Sequence, residues 1–190
     1  MKLIGVSGFI GSGKTTLLNY IKSNPSVKVI EADEVSKEVI NLPQVIDFLK
    51  KYIPQSIEEG KINRQILRES VFCNNKLNDQ FTSIVWPLIS KRILEIIQSI
   101  KEEYQAIVVE AAMINGLDIK FDTTILLKKE EEKRMDSVMI RDKRNINEIQ
   151  SISEYQFNKL KDYHFDYILE NNNDIDVFYQ NIDDLFKKIL

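Results

Sequence analysis

The chain has 190 residues, of which 43% are hydrophobic, and this length and composition favour one compact domain with a core of its own. The formal net charge of -3 argues against a nucleic-acid-binding surface, and the single cysteine, Cys73, excludes an intrachain disulfide. The first residues lack the features of a signal peptide and no apolar run approaches the roughly 20 residues needed to cross a bilayer, so we expect a cytoplasmic protein with neither nucleic acid nor membrane among its partners.

Short apolar segments alternate with helical patterns along the chain. Strands are predicted at residues 3–7, 27–33, 106–110, 122–127 and 166–170, and helices at 14–23, within 34–103, at 130–144 and at 174–190. Strands that are apolar on both faces and separated by helices form a parallel sheet covered on both sides, so the predicted fold is α/β with three layers. Ligands of such sheets bind at the carboxyl ends of the strands, where Ser7, Asp33 and Glu110 are expected.

The segment between the first strand and the first helix reads GFIGSGKT, from Gly8 to Thr15, and it matches the G-x-x-x-x-G-K-[ST] pattern of a phosphate-binding loop. In this pattern the glycines let backbone N–H groups turn towards the phosphates, the lysine reaches the β- and γ-phosphates, and the next hydroxyl binds Mg²⁺. A glycine turn with a surface lysine is the alternative, but it needs neither the full pattern nor its strand–loop–helix context. The predicted ligands are therefore ATP and Mg²⁺. The residues predicted to bind ATP here are Gly11, Ser12, Gly13, Lys14, Thr15 and Thr16. Lys14 is also a predicted catalytic residue, and Thr15 is also the predicted magnesium ligand.

The class of phosphate-loop protein follows from the rest of the sequence. A GTPase would need a guanine-reading N-K-x-D element, and the segments after the later strands do not contain one. A small chain with a helical segment after the second strand, and a charged helix with arginines after the fourth, is typical of a small-molecule kinase.

Five further segments resemble, in the same order, motifs of the dephospho-CoA kinase family. They are VIEADEVSKEV at 29–39, EEGKINRQILRESVF at 58–72, IVWPLI at 84–89, RDKRNINEIQSISEYQ at 141–156 and FDYILENNN at 165–173. With the phosphate loop they are spread from residue 8 to residue 173, so the resemblance extends along nearly the whole chain. The resemblance implies ATP-dependent phosphorylation of the ribose 3′-hydroxyl of dephospho-CoA, which is the last step of coenzyme A synthesis.

Two other functions stay open on the sequence. One is a kinase for another nucleoside-like acceptor, such as a nucleoside monophosphate. The other is a nucleotide-binding protein that has lost catalysis. This hypothesis is suggested by three departures from the family motifs. Trp86 stands in place of a histidine, Ile152 stands in place of an arginine, and a second acid is missing after Glu110.

The resemblance also implies the organisation of the chain. A single P-loop kinase domain is expected over residues 1–190, with its core at about 1–33, 104–128 and 162–190. A helical substrate-binding insertion is expected at about 34–103 and a helical lid at about 129–161.

Family motifs assign roles to residues before, within and after the expected insertion. Asp33 matches an aspartate that orients the ribose hydroxyl and accepts its proton, although a helix N-cap is the alternative. Arg64 matches an arginine that holds a substrate phosphate. Trp86 could stack on the adenine or the pantetheine arm of the substrate, or it could belong to the core. Glu110 would lie at the substrate and hold Mg²⁺ through water, or it would face solvent.

The expected lid supplies the remaining candidates. Arg141 is the catalytic candidate that would neutralise charge on the transferred phosphoryl group, because its distance to Gln156 fits the family pattern. Arg134 and Arg144 are weaker matches. Lys161 matches a usually basic position at the substrate, and Asn171 lies on the loop that the resemblance expects at the edge of the adenine.

Overall fold

The computed structural model describes residues 1–72, 74–142 and 146–190. These residues divide into two compact units. The first consists of Met1–Glu31 and Ile97–Leu190 and contains the main sheet, and we call it the sheet unit. The second is Ala32–Ile96, and we call it the helical unit.

Strands and helices follow each other along the chain. The strands are β1 (Lys2–Gly8), β2 (Val27–Glu31), β3 (Ile57–Glu58), β4 (Lys61–Ile62), β5 (Ala106–Glu110), β6 (Thr123–Lys128) and β7 (Tyr167–Glu170). The helices are α1 (Lys14–Ile21), α2 (Ala32–Val39), α3 (Pro43–Tyr52), α4 (Arg64–Phe72), α5 (Asn75–Ile100), α6 (Glu131–Asp142), α7 (Ile146–Leu160) and α8 (Ile175–Ile189). Among the described residues, no helix is both long enough and apolar enough to cross a membrane.

Within the described residues, the sheet unit is built on a five-stranded parallel sheet in the order β2-β5-β1-β6-β7. The central strand β1 is buried from Leu3 to Gly8, and every residue of β5 is buried. A strand buried on both faces has to be apolar throughout, which explains the continuous apolar runs LIGV and AIVV. The predicted α/β fold with a parallel sheet is confirmed.

Helices α1 and α8 form one layer on this sheet. Leu17 and Leu18 of α1 pack in the same core cluster as Phe178 and Ile182 of α8 and the strand residues Ile4, Val6, Val108 and Ile125. The side chain of Asp174 caps α8 by accepting a hydrogen bond from the N–H of Val177 at 3.1 Å. This layer fixes the direction of α1 and therefore of the loop that precedes it.

Two carboxylates bind the amino-terminal side of the sheet. Asp122 Oδ2 accepts a hydrogen bond from the N–H of Leu3 at 2.8 Å. Asp166 Oδ2 accepts hydrogen bonds from the hydroxyl and the N–H of Thr124, at 2.8 and 2.7 Å. The Thr124 hydroxyl, and then its N–H, stabilise the charged carboxylate and lower the pKa of Asp166 below its ordinary value.

The helical unit contains α2, α3, α4, most of α5 and a short hairpin of β3 and β4. The predicted helical region did not include this hairpin, whose turn has positive φ values at Glu59 and Gly60. A second correction concerns the predicted strand at 27–33, which ends at Glu31. Asp33 and Glu34 fall in the first turn of α2, where acidic side chains favour a helix through its dipole.

Candidate active site

The predicted phosphate loop lies between the end of β1 and the start of α1. Gly11 and Gly13 have φ values of 79° and 100°, in the left-handed region that glycine adopts without strain. A Cβ atom at Gly13 would lie 2.2 Å from Nδ2 of Asn171. The loop can therefore take this shape only with glycine at both positions.

The first turn of α1 carries donors that suit an anion. Gly13 makes no side-chain capping contact, and the first turn contains no acidic residue. The first N–H groups of a helix have no partner within it, and the helix dipole adds partial positive charge. Thr15 is exposed and Thr16 is half-buried, and both belong to this first turn. This end of α1 has the chemistry of a phosphate site.

The Lys14 side chain folds back over the loop that precedes it. Its Nζ donates hydrogen bonds to the carbonyl oxygens of Gly8 at 2.7 Å and Phe9 at 3.3 Å. Ser12 is fully buried, and its Oγ has no hydrogen-bond partner among the described residues. A buried hydroxyl without a partner is costly, so a ligand that accepts its hydrogen bond would stabilise the loop.

The acid at the end of β5 lies on the strand beside β1. Glu110 pairs in register with Val6 of β1 on one side and with Glu31 of β2 on the other. It is only 9% exposed, which does not fit the alternative of a solvent-facing acid. Because β5 separates β2 from β1, the acid on the strand next to β1 is Glu110.

Asn115 occupies the region where the family's second acid is missing. It lies in a 3₁₀ turn, Ile114–Gly116, after β5. Its Nδ2 donates a hydrogen bond to the carbonyl of Lys159 in the last turn of α7 at 2.7 Å. The side chain thus connects the segment after β5 to α7.

The helical unit brings two predicted residues together. Asp33 lies in the first turn of α2, and Arg64 is the first residue of α4. Asp33 Oδ1 lies 3.9 Å from Arg64 Nη2, and their side chains are 73% and 40% exposed. The described contacts of the Asp33 carboxylate do not include a capping hydrogen bond.

Two predicted substrate-binding residues lie on helices or at their ends. Trp86 is half-buried in α5, next to Pro87, and its carbonyl accepts a hydrogen bond from Ser90 Oγ at 2.9 Å. Lys161 is exposed just after α7. Their proposed substrate contacts stay predictions.

Helices α6 and α7 hold the tip of the phosphate loop through two side chains that were not predicted to contact it. Arg134 Nη1 donates to the carbonyl of Ile10 at 2.9 Å, and Gln156 Oε1 accepts from the N–H of Ile10 at 2.8 Å. Arg134 also lies 5.5 Å above the ring of Phe9. Its burial lowers the pKa of the guanidinium, which still remains charged. The RD…Q spacing drew attention to Gln156 in the sequence, but no pattern assigned it a partner.

The catalytic candidate Arg141 belongs to α6, but its side chain lies outside the described part of the structure, as does the whole of Arg144. Their predicted roles at the transferred phosphoryl group stay predictions.

Asn171 contacts the phosphate loop itself. Its Nδ2 donates to the carbonyl of Ser12 at 3.0 Å, and its N–H donates to the carbonyl of Lys128. The next residue, Asn172, accepts the N–H of Glu130 at 2.7 Å and receives a hydrogen bond from Lys133 Nζ at 3.0 Å. The loop after β7 therefore joins the phosphate loop to the start of α6.

A parallel sheet with a glycine-rich phosphate loop after its central strand, followed by a basic and hydroxyl-bearing helix end, defines the class of P-loop nucleotide-binding proteins. The same fold occurs in the dephospho-CoA kinase from Campylobacter jejuni, with a TM-score of 0.66 and 24% identity over 98% of this chain and 96% of that one.

The family model for dephospho-CoA kinase matches residues 2–176, and the chain belongs to this family. It is 28% identical to the dephospho-CoA kinase of Vibrio parahaemolyticus, over 99% of this chain and 94% of the relative. It is 30% identical to that of Hydrogenovibrio crunogenus, over 82% of this chain and 81% of the relative. The predicted family, fold and function are confirmed: the protein is an ATP-dependent kinase of coenzyme A synthesis.

Proposed function

We propose that the protein transfers the γ-phosphoryl group of ATP to the 3′-hydroxyl of the dephospho-CoA ribose, giving coenzyme A and ADP. The observation that carries this proposal is a complete phosphate loop in a chain that matches the family over residues 2–176. The hydroxyl oxygen attacks the γ-phosphorus, the bond from that phosphorus to the β–γ bridging oxygen breaks, and the hydroxyl proton passes to a base. A cytoplasmic location is part of the same proposal.

The ATP side of the reaction is assigned to the phosphate loop and the start of α1. The N–H groups of residues 11–16 would bind the phosphate oxygens, and Lys14 would move from the carbonyls of Gly8 and Phe9 to the β- and γ-phosphates. Ser12 Oγ, buried without a described partner, would donate to the bound phosphates. Asn171 would support this site by holding the Ser12 carbonyl.

Kinases of this family use ATP together with a divalent metal, and we assign Mg²⁺ to Thr15 and Glu110. Thr15 would bind the metal directly, and Glu110 would bind it through water. Both supply oxygen ligands, and the buried position of Glu110 on the strand beside β1 fits this role. The described residues contain no cluster of three or more His, Cys, Asp or Glu that could hold a metal, so phosphate oxygens and water would complete the coordination. The bound metal would neutralise charge on the phosphates.

Asp33 and Arg64 are assigned to the acceptor. The exposed Asp33 carboxylate would orient the ribose 3′-hydroxyl and accept its proton. Arg64 would hold a phosphate of dephospho-CoA by a bidentate contact. The 3.9 Å separation between the two side chains supports one shared acceptor site, because the same substrate could contact both.

The remaining assignments concern binding and charge. Trp86 would contact the acceptor within the insertion expected at about 34–103, and Lys161 would contact it near the end of α7. Arg141 would neutralise charge on the transferred phosphoryl group from a lid at about 129–161.

A panel of acceptors tests the proposal directly. ADP release would be followed in a coupled assay with dephospho-CoA, with its 3′-deoxyribose analogue and with AMP. We expect turnover with dephospho-CoA, none with the 3′-deoxy analogue, and little with AMP. Turnover of AMP at the higher rate would favour a nucleoside monophosphate kinase. ATP binding without any transfer by folded protein would favour a protein that has lost catalysis.

A further inference from the structure

Two buried side chains of α6 and α7 contact a single residue of the phosphate loop. Ile10 donates its N–H to Gln156 Oε1 at 2.8 Å and accepts a hydrogen bond at its carbonyl from Arg134 Nη1 at 2.9 Å. Arg134 is itself fixed, because its Nη2 donates to Ser153 Oγ at 2.8 Å. Arg134, Ser153 and Gln156 are 5%, 9% and 7% exposed, so water competes little for these bonds.

Apolar packing holds the same residue from its side chain. Ile10 packs against the buried cluster of Met135, Val138 and Ile149, which joins α6 to α7. The helix also approaches Gly11 closely, because a Cβ atom there would lie 2.6 Å from the carbonyl oxygen of Arg134. The tip of the loop and the two helices therefore form one packed structure.

The hydrogen bonds of Ile10 set the orientation of the peptide group between Phe9 and Ile10. In a trans peptide the N–H and the C=O point in opposite directions, and the described residues contain no cis peptide bond. The N–H of Ile10 points to Gln156, so the carbonyl of Phe9 must point the other way. It does, because it accepts the N–H of Ser12 at 3.1 Å and lies 3.3 Å from Lys14 Nζ.

The same reasoning applies to the next peptide group. The carbonyl of Ile10 points to Arg134, so the N–H of Gly11 points away from α6. Gly11 is among the loop residues whose N–H groups would bind the triphosphate.

We propose that Arg134 and Gln156 are positioning residues for nucleotide binding: they hold both peptide groups of Ile10 and thereby set the direction of the Gly11 N–H. This inference rests on the proposed ATP site at the loop. Donors that already point at the anion site bind the anion without reorganising. Loss of either side chain should therefore weaken the binding of ATP and leave the binding of the acceptor unchanged. Neither of them needs to touch the nucleotide.

The test compares Gln156→Met and Arg134→Met with the matched control Gln150→Met, an exposed glutamine on the same helix as Gln156. The measurements are the Kd of ATP with Mg²⁺, and the KM values of ATP and dephospho-CoA. We expect the Kd and KM of ATP to rise roughly 5- to 30-fold, because each substitution removes a buried hydrogen bond to the loop. The KM of dephospho-CoA and all values of the control should change less than twofold.

A double variant adds a second criterion. Because both side chains act through Ile10, the two substitutions together should cost clearly less than the product of their separate effects. Arg134→Lys keeps a donor for the Ile10 carbonyl and should recover part of the affinity. If Arg134→Met does not fold, as judged by circular dichroism, Arg134→Lys and Gln156→Met decide the question.

The outcomes separate this inference from the proposed function. If the wild-type protein binds ATP and the folded variants bind it equally well, the inference alone is overturned. Equal rises in the KM of both substrates would also overturn it, because they would indicate a general structural defect. Wild-type protein that does not bind ATP would overturn the proposed function and the inference together.

Discussion

The phosphate loop of the sheet unit and the Asp33–Arg64 pair of the helical unit are assigned to the same reaction, yet they are held very differently. Around the loop, Ser12, Arg134 and Gln156 are at most 7% exposed, and hydrogen bonds of 2.8 to 3.0 Å fix the backbone. Asp33 and Arg64 are 73% and 40% exposed and lie 3.9 Å apart. An exposed ion pair at this distance contributes little stability, on the order of 0–1 kcal/mol.

The contrast indicates two ways of preparing a site. The backbone of the loop is held by the protein alone, so its N–H donors are in place before a nucleotide binds, whereas the Lys14 side chain has to move. The acceptor side chains are more exposed and have fewer contacts to hold them, and contacts with the substrate would order them. Because phosphoryl transfer depends on positioning and charge, a change at the loop should alter ATP binding and catalysis together. A change at Asp33 should alter the chemical step alone.

Replacing the loop lysine should have the largest effect. Lys14→Ala removes the charge assigned to the β- and γ-phosphates, and we expect kcat/KM to fall roughly 10³- to 10⁵-fold, as for other charges that stabilise this transition state. ATP binding should weaken as well. Lys22→Ala is the control, since this exposed lysine pairs with Glu31 just after α1. Activity within tenfold of wild type in Lys14→Ala would contradict the assignment of the loop.

Asp33→Asn should separate chemistry from binding. The amide keeps the shape of the side chain but cannot accept the hydroxyl proton, so kcat should fall about 10²- to 10⁴-fold while the Kd of ATP is unchanged. Glu34→Gln, at the neighbouring exposed acid that pairs with Lys37, is the matched control. Near-normal turnover in Asp33→Asn would mean that the carboxylate is not the base.

A pair of glycines tests the difference in packing. Gly11 and Gly60 have nearly the same φ, 79° and 77°, but a Cβ at Gly11 would meet Arg134 while nothing lies within 4 Å at Gly60. Gly60→Ala should cost about 1–2 kcal/mol of stability, the strain of a left-handed alanine. Gly11→Ala should cost roughly 1–3 kcal/mol more because of overpacking. Urea unfolding of both variants measures the difference, and equal losses would show that α6 yields easily.

Local patterns in the sequence were sufficient for the sheet and the loop. The buried runs LIGV and AIVV could be assigned as strands because a two-sided parallel sheet demands apolar residues throughout. The phosphate loop was predicted from a motif in which the glycines let the backbone turn towards the phosphates. In both cases the signal lies within a few consecutive residues.

The contacts across the chain could not be read in this way. Ile10 is 146 residues from Gln156 and 124 from Arg134, and a glutamine or an arginine on a helix is compatible with many partners. Asp33 was expected on a strand because VIEAD continues an apolar run, but the dipole of α2 favours Asp33 and Glu34 in its first turn. The strand order was also out of reach, since it depends on how the whole sheet packs and not on any one segment.

The smallest expected effect concerns the far edge of the sheet unit, where Asp166 receives hydrogen bonds from the hydroxyl and N–H of Thr124. These bonds lower the pKa of Asp166, so the native state favours the charged form and the contribution to stability is present above the ordinary pKa of about 3.9. This contribution is lost as the pH falls through the lowered native pKa.

Asp166→Ala should therefore cost about 1 kcal/mol of stability near pH 7, and the gap in the free energy of unfolding to wild type should narrow below about pH 4. Urea unfolding at several pH values measures the gap, with Asp162→Ala at an exposed acid as the control. A gap that is constant down to pH 2 would mean that packing, and not the carboxylate charge, fastens β7 to β6 at this end of the strands.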